Sequence, residues 1–381
     1  MKAVKILSFS DCHLGKNKLD PVLMISHLKE MIFPLLPDIQ LLIIAGDLFD
    51  EGLGLGDASV MQILAFIIEL EAECAKYDIT IRVLRGTVYH DRTQLQTLPA
   101  IHSAYKFKND LRYFDTVSLE YIERFDMRVL YIPDNTPEKT SDEVMAGVKA
   151  LMETAGWEYV DYVIMHAYFA HVIPENVQIK SKVFRQDQFG FVKRGVLIGH
   201  VHQPNHSGMF IYHGSSDRIN QGEEEPKGIL LTTDGGDDHP VSFQFIENKN
   251  AFVFRTYDLS RLSEVDKMID HVENNLSNED LSRPVYIRIQ HPDVILRGAC
   301  LMELKRRHPT VEFSHRSPEK NKPAGVQDAR EIVDSILIKD APTIDTLPKA
   351  MTLYLQREKS PIQLPEERIK DMLDTVRKLK P

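Results

Sequence analysis

The chain has 381 residues, of which 43% are hydrophobic and 27% are charged, as is typical of a soluble globular protein. This length exceeds one ordinary core, so we expect two domains or one large domain with appendages. No apolar run reaches the roughly 20 residues that a membrane span needs. The N-terminal stretch MKAVKILSFSDCHLG becomes polar too early for a signal peptide. These features predict a cytoplasmic protein that has no membrane contact.

Cysteine content and charge narrow the functional classes further. Cys12, Cys74 and Cys300 are an odd number with wide spacing, so they predict neither a disulfide framework nor a thiolate zinc site. Residues 1–250 hold 24 basic and 35 acidic residues, a formal balance of −11, whereas residues 251–381 hold 22 and 21. A polyanionic substrate would therefore need metal ions, a local basic patch or a partner protein to approach the first part of the chain.

The first 250 residues alternate strand-like and helix-like patterns. Aliphatic runs predict strands at 3–9, 40–45 and 79–84, and helical periodicity predicts helices over 21–33 and 57–77. This alternation is typical of βαβ units. Further strands are predicted at 127–132, 159–166, 195–200, 209–214, 227–233 and 241–246. The later strands leave little room for helices between them, which predicts an antiparallel part of a layered sandwich.

The pattern begins again after about residue 250. Strands are predicted at 252–259, 284–291 and 310–315, with helices over 262–276 and 294–307, which indicates a small α/β unit. A polar, Pro-containing linker follows at 317–325, and then three short amphipathic helical patterns at 332–336, 347–354 and 369–376. Such helices are marginal alone, so they would dock on this chain or on a partner. We predict domains at 1–250 and 251–316 and a tail at 317–381.

Five polar clusters follow predicted strands. They are SDCHLG with Asp11 and His13, AGDLFD with Asp47 and Asp50, RGTVYHD with His90 and Asp91, MHAYF with His166, and GHVHQP with His200 and His202. Ligands of open α/β sheets collect beyond the carboxyl ends of the strands. Asp and His without Cys suit manganese, iron or zinc, and two such ions can clamp a phosphoryl group. Each cluster alone has a structural reading as a helix cap or a satisfied polar residue, but the ordered set predicts a metal site.

The ordered motifs resemble those of the calcineurin-like metallophosphoesterase superfamily. GDLFD, the IPD at 132–134, GHVHQP and the stretch YHGSSDRINQGEEEPKGILL at 212–231 are similar to the SbcD-type DNA-repair nucleases of the Mre/Rad complexes. The resemblance covers residues 1–250 by motif and 251–316 by architecture only. It implies a two-sheet α/β metallophosphoesterase sandwich, a small α/β cap domain that contacts DNA, and a helical C-terminal tail that binds an SMC-like Rad-type ATPase. It also leaves a homodimer open.

The resemblance also implies roles for individual residues. One divalent ion would be held by Asp11, His13 and His202 and a second by His166 and His200, with Asp47 bridging the two. Manganese is the metal that it favours. His90 would stabilise the transition state or protonate the leaving 3′ oxygen, and Asp91 would orient its ring. The reaction implied is metal-dependent hydrolysis of DNA phosphodiesters, as a 3′-to-5′ exonuclease, an endonuclease or both, in DNA repair and recombination.

Two positions depart from the family pattern. Asp50 stands where several members have a His three residues after the bridging Asp. Between Gly86 and His90 the chain has Thr87, Val88 and Tyr89, so the usual metal-bridging Asn is replaced. A hydroxyl on a short side chain is a poorer ligand than an amide carbonyl. We therefore expect the second ion to bind more weakly, or to complete its coordination with water.

Two other functions stay open at this stage. The chain could be a phosphoesterase that acts on small nucleotides or phosphoproteins, or a non-catalytic scaffold subunit with a degenerate metal site. The second domain and the tail argue against the first, and the number of filled ligand positions argues against the second. Candidate DNA contacts are Arg85, Arg92, Lys193, Arg194, Arg218 and residues 305–307. They predict backbone-directed, salt-dependent binding.

Overall fold

A computed structural model of the chain describes residues 3–16, 19–53, 58–134, 136–173, 182–237 and 239–316. Its contacts divide the chain into two compact units, Met1–Ser317 and Pro318–Pro381. The predicted linker at 317–325 and the three predicted tail helices lie outside the described residues, and so does the predicted tail domain.

The described residues form strands and α-helices in close alternation over the first half. The strands are β1 Val4–Phe9, β2 Leu41–Ala45, β3 Thr80–Leu84, β4 Leu111–Phe114, β5 Ser118–Ile122, β6 Met127–Ile132, β7 Val160–His166, β8 Tyr168–Phe169, β9 Val183–Phe184, β10 Val192–Gly199, β11 Asn205–Ser207, β12 Phe210–Tyr212, β13 Gly228–Asp234, β14 Ser242–Glu247, β15 Val253–Asp258, β16 Val285–Gln290 and β17 Val311–Arg316. The α-helices are α1 Pro21–Ile32, α2 Ala58–Lys76, α3 Val88–Asp91, α4 Thr97–Tyr105, α5 Ser141–Ala155, α6 Val265–Leu276 and α7 Val294–Arg307. None of these helices combines the length and the apolar composition needed to span a bilayer.

Two six-stranded sheets form the body of the molecule. Their strand orders are β14-β13-β1-β2-β3-β4 and β11-β12-β10-β7-β6-β5. Ile43 of the first sheet and Ile164 and Leu197 of the second belong to one buried cluster, so the sheets pack face to face. A second cluster joins the outer face of the first sheet to α1 and α2, and a third joins the second sheet to α5. The predicted two-sheet α/β sandwich is confirmed.

Strand direction determines where the functional loops meet. Strands β1 to β4 run parallel to one another, and so do β6, β7, β10 and β12. The antiparallel part was predicted correctly for β13 and β14, which pair with each other, and β13 also pairs antiparallel with β1. The expectation was wrong for β12, which runs parallel to β10. Within each sheet, parallel strands place their carboxyl ends at one edge.

A third sheet, β15-β16-β17, is parallel throughout and carries α6 and α7. Its central strand β16 alternates buried and half-buried positions, as expected of a sheet with one covered face. Met268, Ile287 and Leu304 lie in a hydrophobic cluster that these elements share. Helices thus pack against one face of each of these three sheets. The division into domains at 1–250 and 251–316 stays a prediction.

Candidate metal centre

The loops that follow four parallel strands bring six of the predicted site residues together. Asp11 and His13 follow β1, Asp47 follows β2, His166 ends β7, and His200 and His202 follow β10. They form two groups, Asp11–His13–His202 and Asp47–His166–His200. Within each group, one potential ligand atom per residue lies within 4.8 Å of the others. These are the same two groups that the family resemblance implies as separate ion sites.

Two carboxylates lie between the groups. Asp47 Oδ2 is 3.2 Å from His166 Nε2 and 3.9 Å from His13 Nε2. Asp11 Oδ1 is 4.0 Å from the same two nitrogens and 3.7 Å from His202 Nε2. The two groups are therefore adjacent, and Asp47 occupies the position from which one carboxylate can reach both.

The backbone is strained at four of these site residues. Asp11, His13, Asp47 and His200 all have positive φ angles, of 52°, 48°, 51° and 86°. Such conformations cost about 1–3 kcal/mol each and persist where the surroundings enforce them, commonly at functional sites. Main-chain hydrogen bonds supply that enforcement, since the His13 amide donates to the Asp47 carbonyl at 3.1 Å. A Cβ at Gly46, where φ is +92°, would lie 2.4 Å from His166 Nδ1, so only glycine fits.

Three of the histidines have one ring nitrogen fixed by an acceptor. Nδ1 of His13 is 3.1 Å from Asp50 Oδ1, and Nδ1 of His202 is 2.9 Å from Glu223 Oε1. Nδ1 of His166 is 2.8 Å from the Ala45 carbonyl oxygen. Because these oxygens only accept, each Nδ1 must donate its hydrogen. In a neutral ring, Nε2 then carries a lone pair that is available to a metal.

Each of these Nε2 atoms, for His13 and His166, lies close to a ring nitrogen of a second histidine. Nε2 of His13 is 3.2 Å from Nε2 of His202, and Nε2 of His166 is 3.1 Å from Nδ1 of His200. His13 and His202 each use Nδ1 to donate to a carboxylate, so in the neutral rings their two Nε2 lone pairs repel each other unless they share a cation or a proton. His200 Nε2 is also buried without a hydrogen-bond partner among the described residues. An Asp and His donor set arranged in this way fits divalent cations of intermediate hardness.

The charges within the site favour bound cations. Burial lowers the pKa of His166, but Asp47 and Asp11 outweigh burial and raise it to about 10. Burial and the neighbouring His166 lower the pKa of His200 to about 3. Burial would raise the pKa of Asp47, yet His166, His13 and His90 together hold it below its ordinary value. The Asp47 carboxylate thus stays ionised, and its field stabilises positive charge in the space beside it.

His90 lies beside the first group on α3. Its ring centroid is 4.6 Å from that of His13, and its Nδ1 is hydrogen bonded to the main-chain carbonyl of Asp50. The expectation that Asp91 orients this ring is wrong. The buried Asp91 carboxylate accepts from the amides of Gly86 at 2.8 Å, Asp47 at 2.9 Å and Phe49 at 3.3 Å. Burial, with Asp47 nearby, raises the pKa of Asp91 to about 7. Asp91 therefore fixes the loop, and Asp50 fixes the ring.

Thr87, which the resemblance predicts in place of a metal-bridging Asn, contacts Asp47. Its amide donates to Asp47 Oδ1 at 2.6 Å, and its hydroxyl donates to Asp47 Oδ2 at 3.1 Å. The same Oγ1 is 3.4 Å from His200 Nδ1. The Thr87 oxygen is therefore part of the second ligand group by position, and its participation as a ligand stays a prediction.

Glu223 and Lys227 complete the surroundings of His202, and neither residue was assigned a separate role from the sequence. Lys227 is fully buried, and its Nζ lies 2.8 Å from the His202 carbonyl oxygen and 3.3 Å from Glu223 Oε2. Burial would raise the pKa of Glu223, but His202 and Lys227 lower it to about 2. The sequence shows Glu223 and Lys227 within the charged stretch GEEEPKG, but it does not show that they contact His202.

Most candidate DNA-contact residues already have partners within the protein. Arg194 pairs with Asp161, Asp234 and Asp237. Lys193 Nζ lies 3.1 Å from the centroid of the Tyr159 ring. Arg218 donates to main-chain carbonyls, and Arg306 and Arg307 pair with Glu303. These contacts assign structural roles to several of the predicted basic positions.

Comparison with known proteins adds little beyond the chain's own geometry. No protein-family model and no curated protein matches the sequence. One solved chain is similar with 12% identity and a TM-score of 0.36, covering 64% of this chain and 99% of its own length. The crystal structure of TT1561 of Thermus thermophilus is similar with 9% identity and a TM-score of 0.38, with the same coverage of 64% and 99%. At these TM-scores, neither likeness supports a conclusion about this chain.

Proposed function

We propose that this chain is a metal-dependent nuclease that hydrolyses DNA phosphodiesters, as a 3′-to-5′ exonuclease, an endonuclease or both. One observation carries the proposal: two Asp and His groups are adjacent, Asp47 Oδ2 of the second lies 3.9 Å from His13 Nε2 of the first, and His90 lies beside them. Adjacent two-ion sites of this type are used for phosphoryl transfer in many hydrolases. The family resemblance of the motifs extends the proposal from phosphoester chemistry to DNA repair and recombination.

The residues of the two groups would hold two divalent ions, for which we propose manganese. Asp11, His13 and His202 would hold one, His166 and His200 the other, and Asp47 both. When bound, the ions would supply the positive charge that neutralises the phosphate and activates the attacking water. Asp50, Glu223 and the Ala45 carbonyl keep the imidazoles in the tautomer that ligation requires.

His90 would protonate the leaving group. Its Nδ1 is committed to the Asp50 carbonyl oxygen, so Nε2 is the ring atom that can hold a proton for the leaving 3′ oxygen. Asp91 keeps α3 in place through the main-chain amides of Gly86, Asp47 and Phe49. His90, the proposed proton donor, is thus fixed relative to Asp47, because the Asp47 amide is one of the three that Asp91 binds.

The proposed partner rests on the resemblance, and the mode of DNA binding and the location rest on the sequence. The chain would act with an SMC-like Rad-type ATPase, which would bind within residues 326–381, outside the described part of the chain. DNA would bind mainly through its phosphates, with affinity that falls steeply as salt rises. The proposed site of action is the cytoplasm.

Single substitutions test the reaction. Purified His90→Ala and Asp47→Ala are assayed with manganese on duplex and single-stranded DNA, and metal content is measured in parallel. We expect each to lose roughly 100-fold or more of the parent's rate, and Asp47→Ala also to lose bound metal. His206→Ala, which removes an exposed histidine on β11, is the matched control. Full activity in both site variants would rule out the mechanism, and a parent without metal would favour a scaffold subunit.

A further inference from the structure

The loop after β3 presents an aromatic ring and a cation next to His90. Tyr89 on α3 is 51% exposed, and its ring centroid lies 5.6 Å from that of His90. The Cζ atom of Arg92 lies 5.9 Å from the centroid of the same tyrosine ring. An exposed aromatic ring with a neighbouring guanidinium is the combination that proteins use to stack a nucleobase and contact its phosphate.

The anchor of this loop makes Tyr89 more than a mobile surface residue. Asp91, two positions after Tyr89, is fully buried and is bound by three main-chain amides. On the other side, the Thr87 amide donates to Asp47 Oδ1 at 2.6 Å. The Arg92 guanidinium lies against Gly52, where a Cβ would come within 2.7 Å of Nη1. A rigid aromatic side chain loses little conformational entropy when a ligand stacks on it.

A second aromatic ring near the site differs in its surroundings. Tyr168 on β8 lies edge-on to His200, with ring centroids 4.1 Å apart, and it is half-buried. The Tyr168 ring packs against His200, a proposed metal ligand, whereas half of the Tyr89 side chain is exposed to solvent. Tyr89 is therefore the better placed of the two to accept a substrate group.

We propose that Tyr89 and Arg92 form a platform for one nucleotide beside the scissile phosphodiester, with its base on Tyr89 and a phosphate at Arg92. This rests on the proposed nuclease function. A base inside a duplex has both faces covered by its neighbours, so only a terminal or unpaired base can stack on a protein ring. The platform therefore selects single strands and frayed ends as substrates, independently of base sequence.

The chain contains a matched comparison for this pair. Tyr121 is 44% exposed, and Arg128 Cζ lies 5.9 Å from the centroid of its ring. Its register partner is Arg128, near the start of β6, so it sits at the end of that strand remote from the proposed metal centre. Tyr121→Ala thus removes a similarly exposed ring with a similar cationic neighbour, and it should leave cleavage unchanged.

Steady-state cleavage of two oligonucleotides tests the platform. Both are single-stranded and identical except that one has an abasic residue at its 3′ end. The parent protein with manganese should prefer the normal end, with a KM roughly tenfold lower than for the abasic end. In Tyr89→Ala this ratio should fall to about one, while Tyr89→Phe should keep it, since the ring and not the hydroxyl stacks. An unchanged ratio in Tyr89→Ala would overturn the platform.

A binding measurement without catalysis separates this inference from the proposed function. An oligonucleotide with 2-aminopurine at its 3′ end is mixed with full-length protein in the presence of a chelator, and fluorescence quenching reports stacking. We expect quenching by the parent, Tyr121→Ala and Tyr89→Phe, and its loss in Tyr89→Ala. If the parent quenches but cleaves nothing with any divalent metal, the nuclease proposal fails and the platform stands. If it cleaves and the quenching is independent of Tyr89, the platform fails alone.

Discussion

At the scale of single residues, Glu223 determines the tautomer of His202. Its Oε1 accepts from His202 Nδ1 at 2.9 Å, and its Oε2 accepts from the Ile219 amide at 3.0 Å. A carboxylate partner makes an imidazole a more basic ligand, and its loss typically costs about 10- to 100-fold in metal affinity. We expect Glu223→Gln to weaken binding of one of two manganese ions by this factor in calorimetry, with the second ion little affected.

The control for that substitution lies next to it in the chain. Glu224 is half-exposed and has Arg255 at 3.7 Å as its partner, so Glu224→Gln makes the same chemical change away from His202. Its manganese affinity should equal that of the parent. Equal affinities in the Glu223 and Glu224 variants would show that the negative charge beside His202 is not needed for binding.

Thr87 provides a second prediction at this scale. Its Oγ1 lies 3.1 Å from Asp47 Oδ2 and 3.4 Å from His200 Nδ1. Thr87→Val keeps the shape of the side chain but removes the oxygen, so we expect weaker binding of the second ion in a manganese titration. Thr87→Ser keeps the oxygen and should bind as the parent does. Identical titrations for the valine and serine variants would exclude the hydroxyl as a ligand.

The site residues differ in how far the sequence could predict them. Asp11, Asp47 and His200 belong to short motifs at strand ends, and the parallel topology alone brings such ends together. The partners of the histidines were not predictable in this way. Asp50 meets His13 across 37 positions and Glu223 meets His202 across 21, and nothing local in the chain specifies those contacts.

At the scale of elements, α2 and α4 meet through a buried acid. Glu71 on α2 is 1% exposed, and its carboxylate oxygens accept no hydrogen bond from the described residues. His102 Nδ1 on α4 lies 3.3 Å away. Burial raises the pKa of Glu71 to about 8, so the folded protein keeps a proton that the unfolded chain releases above its ordinary pKa near 4.5.

This difference in proton binding predicts how stability depends on pH. Because the folded state binds more protons between pH of about 4.5 and 8, Glu71 makes the protein less stable as pH rises through that range. Glu71→Gln should therefore raise the free energy of unfolding at about pH 8 by roughly 1–3 kcal/mol and by much less at about pH 5. Urea unfolding with a chelator measures this. Glu153→Gln on α5, an exposed site, is the control, and equal gains at both pH values would contradict the prediction.

A buried ionic network joins the two main sheets. Arg82 on β3 donates to Glu120 Oε1 and Oε2 at 2.7 and 2.8 Å. Glu120 on β5 also accepts from the Tyr131 hydroxyl on β6 at 2.8 Å. Removing one partner of a buried pair leaves a charge without compensation. Arg112 Nη1, 2.9 Å from Glu120 Oε1, would offset part of that loss.

We therefore expect Arg82→Met to lower the free energy of unfolding by about 2–4 kcal/mol. The double variant Arg82→Met/Glu120→Leu should be more stable than Arg82→Met, because it removes the orphaned carboxylate as well. Arg124→Met breaks an exposed pair with Asp78 and should cost less than about 1 kcal/mol. Denaturant unfolding of the three variants measures these free energies. A double variant no more stable than Arg82→Met would show that Glu120 is satisfied without Arg82.

Predictability of the elements follows burial. Strands such as β2 and β3 are buried at every position, so their aliphatic runs stand out in the sequence. Strands β4 and β5 are partly exposed and sit at sheet edges, and they were not predicted. Helices α4 and α5 were also missed, and in α4 Pro99 obscures the pattern, although proline is tolerated in a first turn.

At the scale of the whole molecule, the described residues contain the cores that their fold requires. The clusters inside and outside the two main sheets, and the one beneath the third sheet, are all built from residues up to Phe313. The Met1–Ser317 unit includes every one of them. Hydrophobic burial of this kind is the dominant favourable contribution to folding, so this unit should be stable without the residues that follow it.

A chain that ends at Ser317 tests this together with the proposed role of the tail. We expect it to melt within a few degrees of the full chain and to bind the same number of manganese ions, because all proposed ligands lie between Asp11 and His202. It should also cleave single-stranded DNA at the parent's rate and fail to co-purify with an SMC-like ATPase. Glu223→Gln in the full chain is the opposite control, with weaker metal binding and intact co-purification. Loss of manganese binding in the shortened chain would show that the tail supports the metal centre, and retained co-purification would place the ATPase contact within residues 1–317.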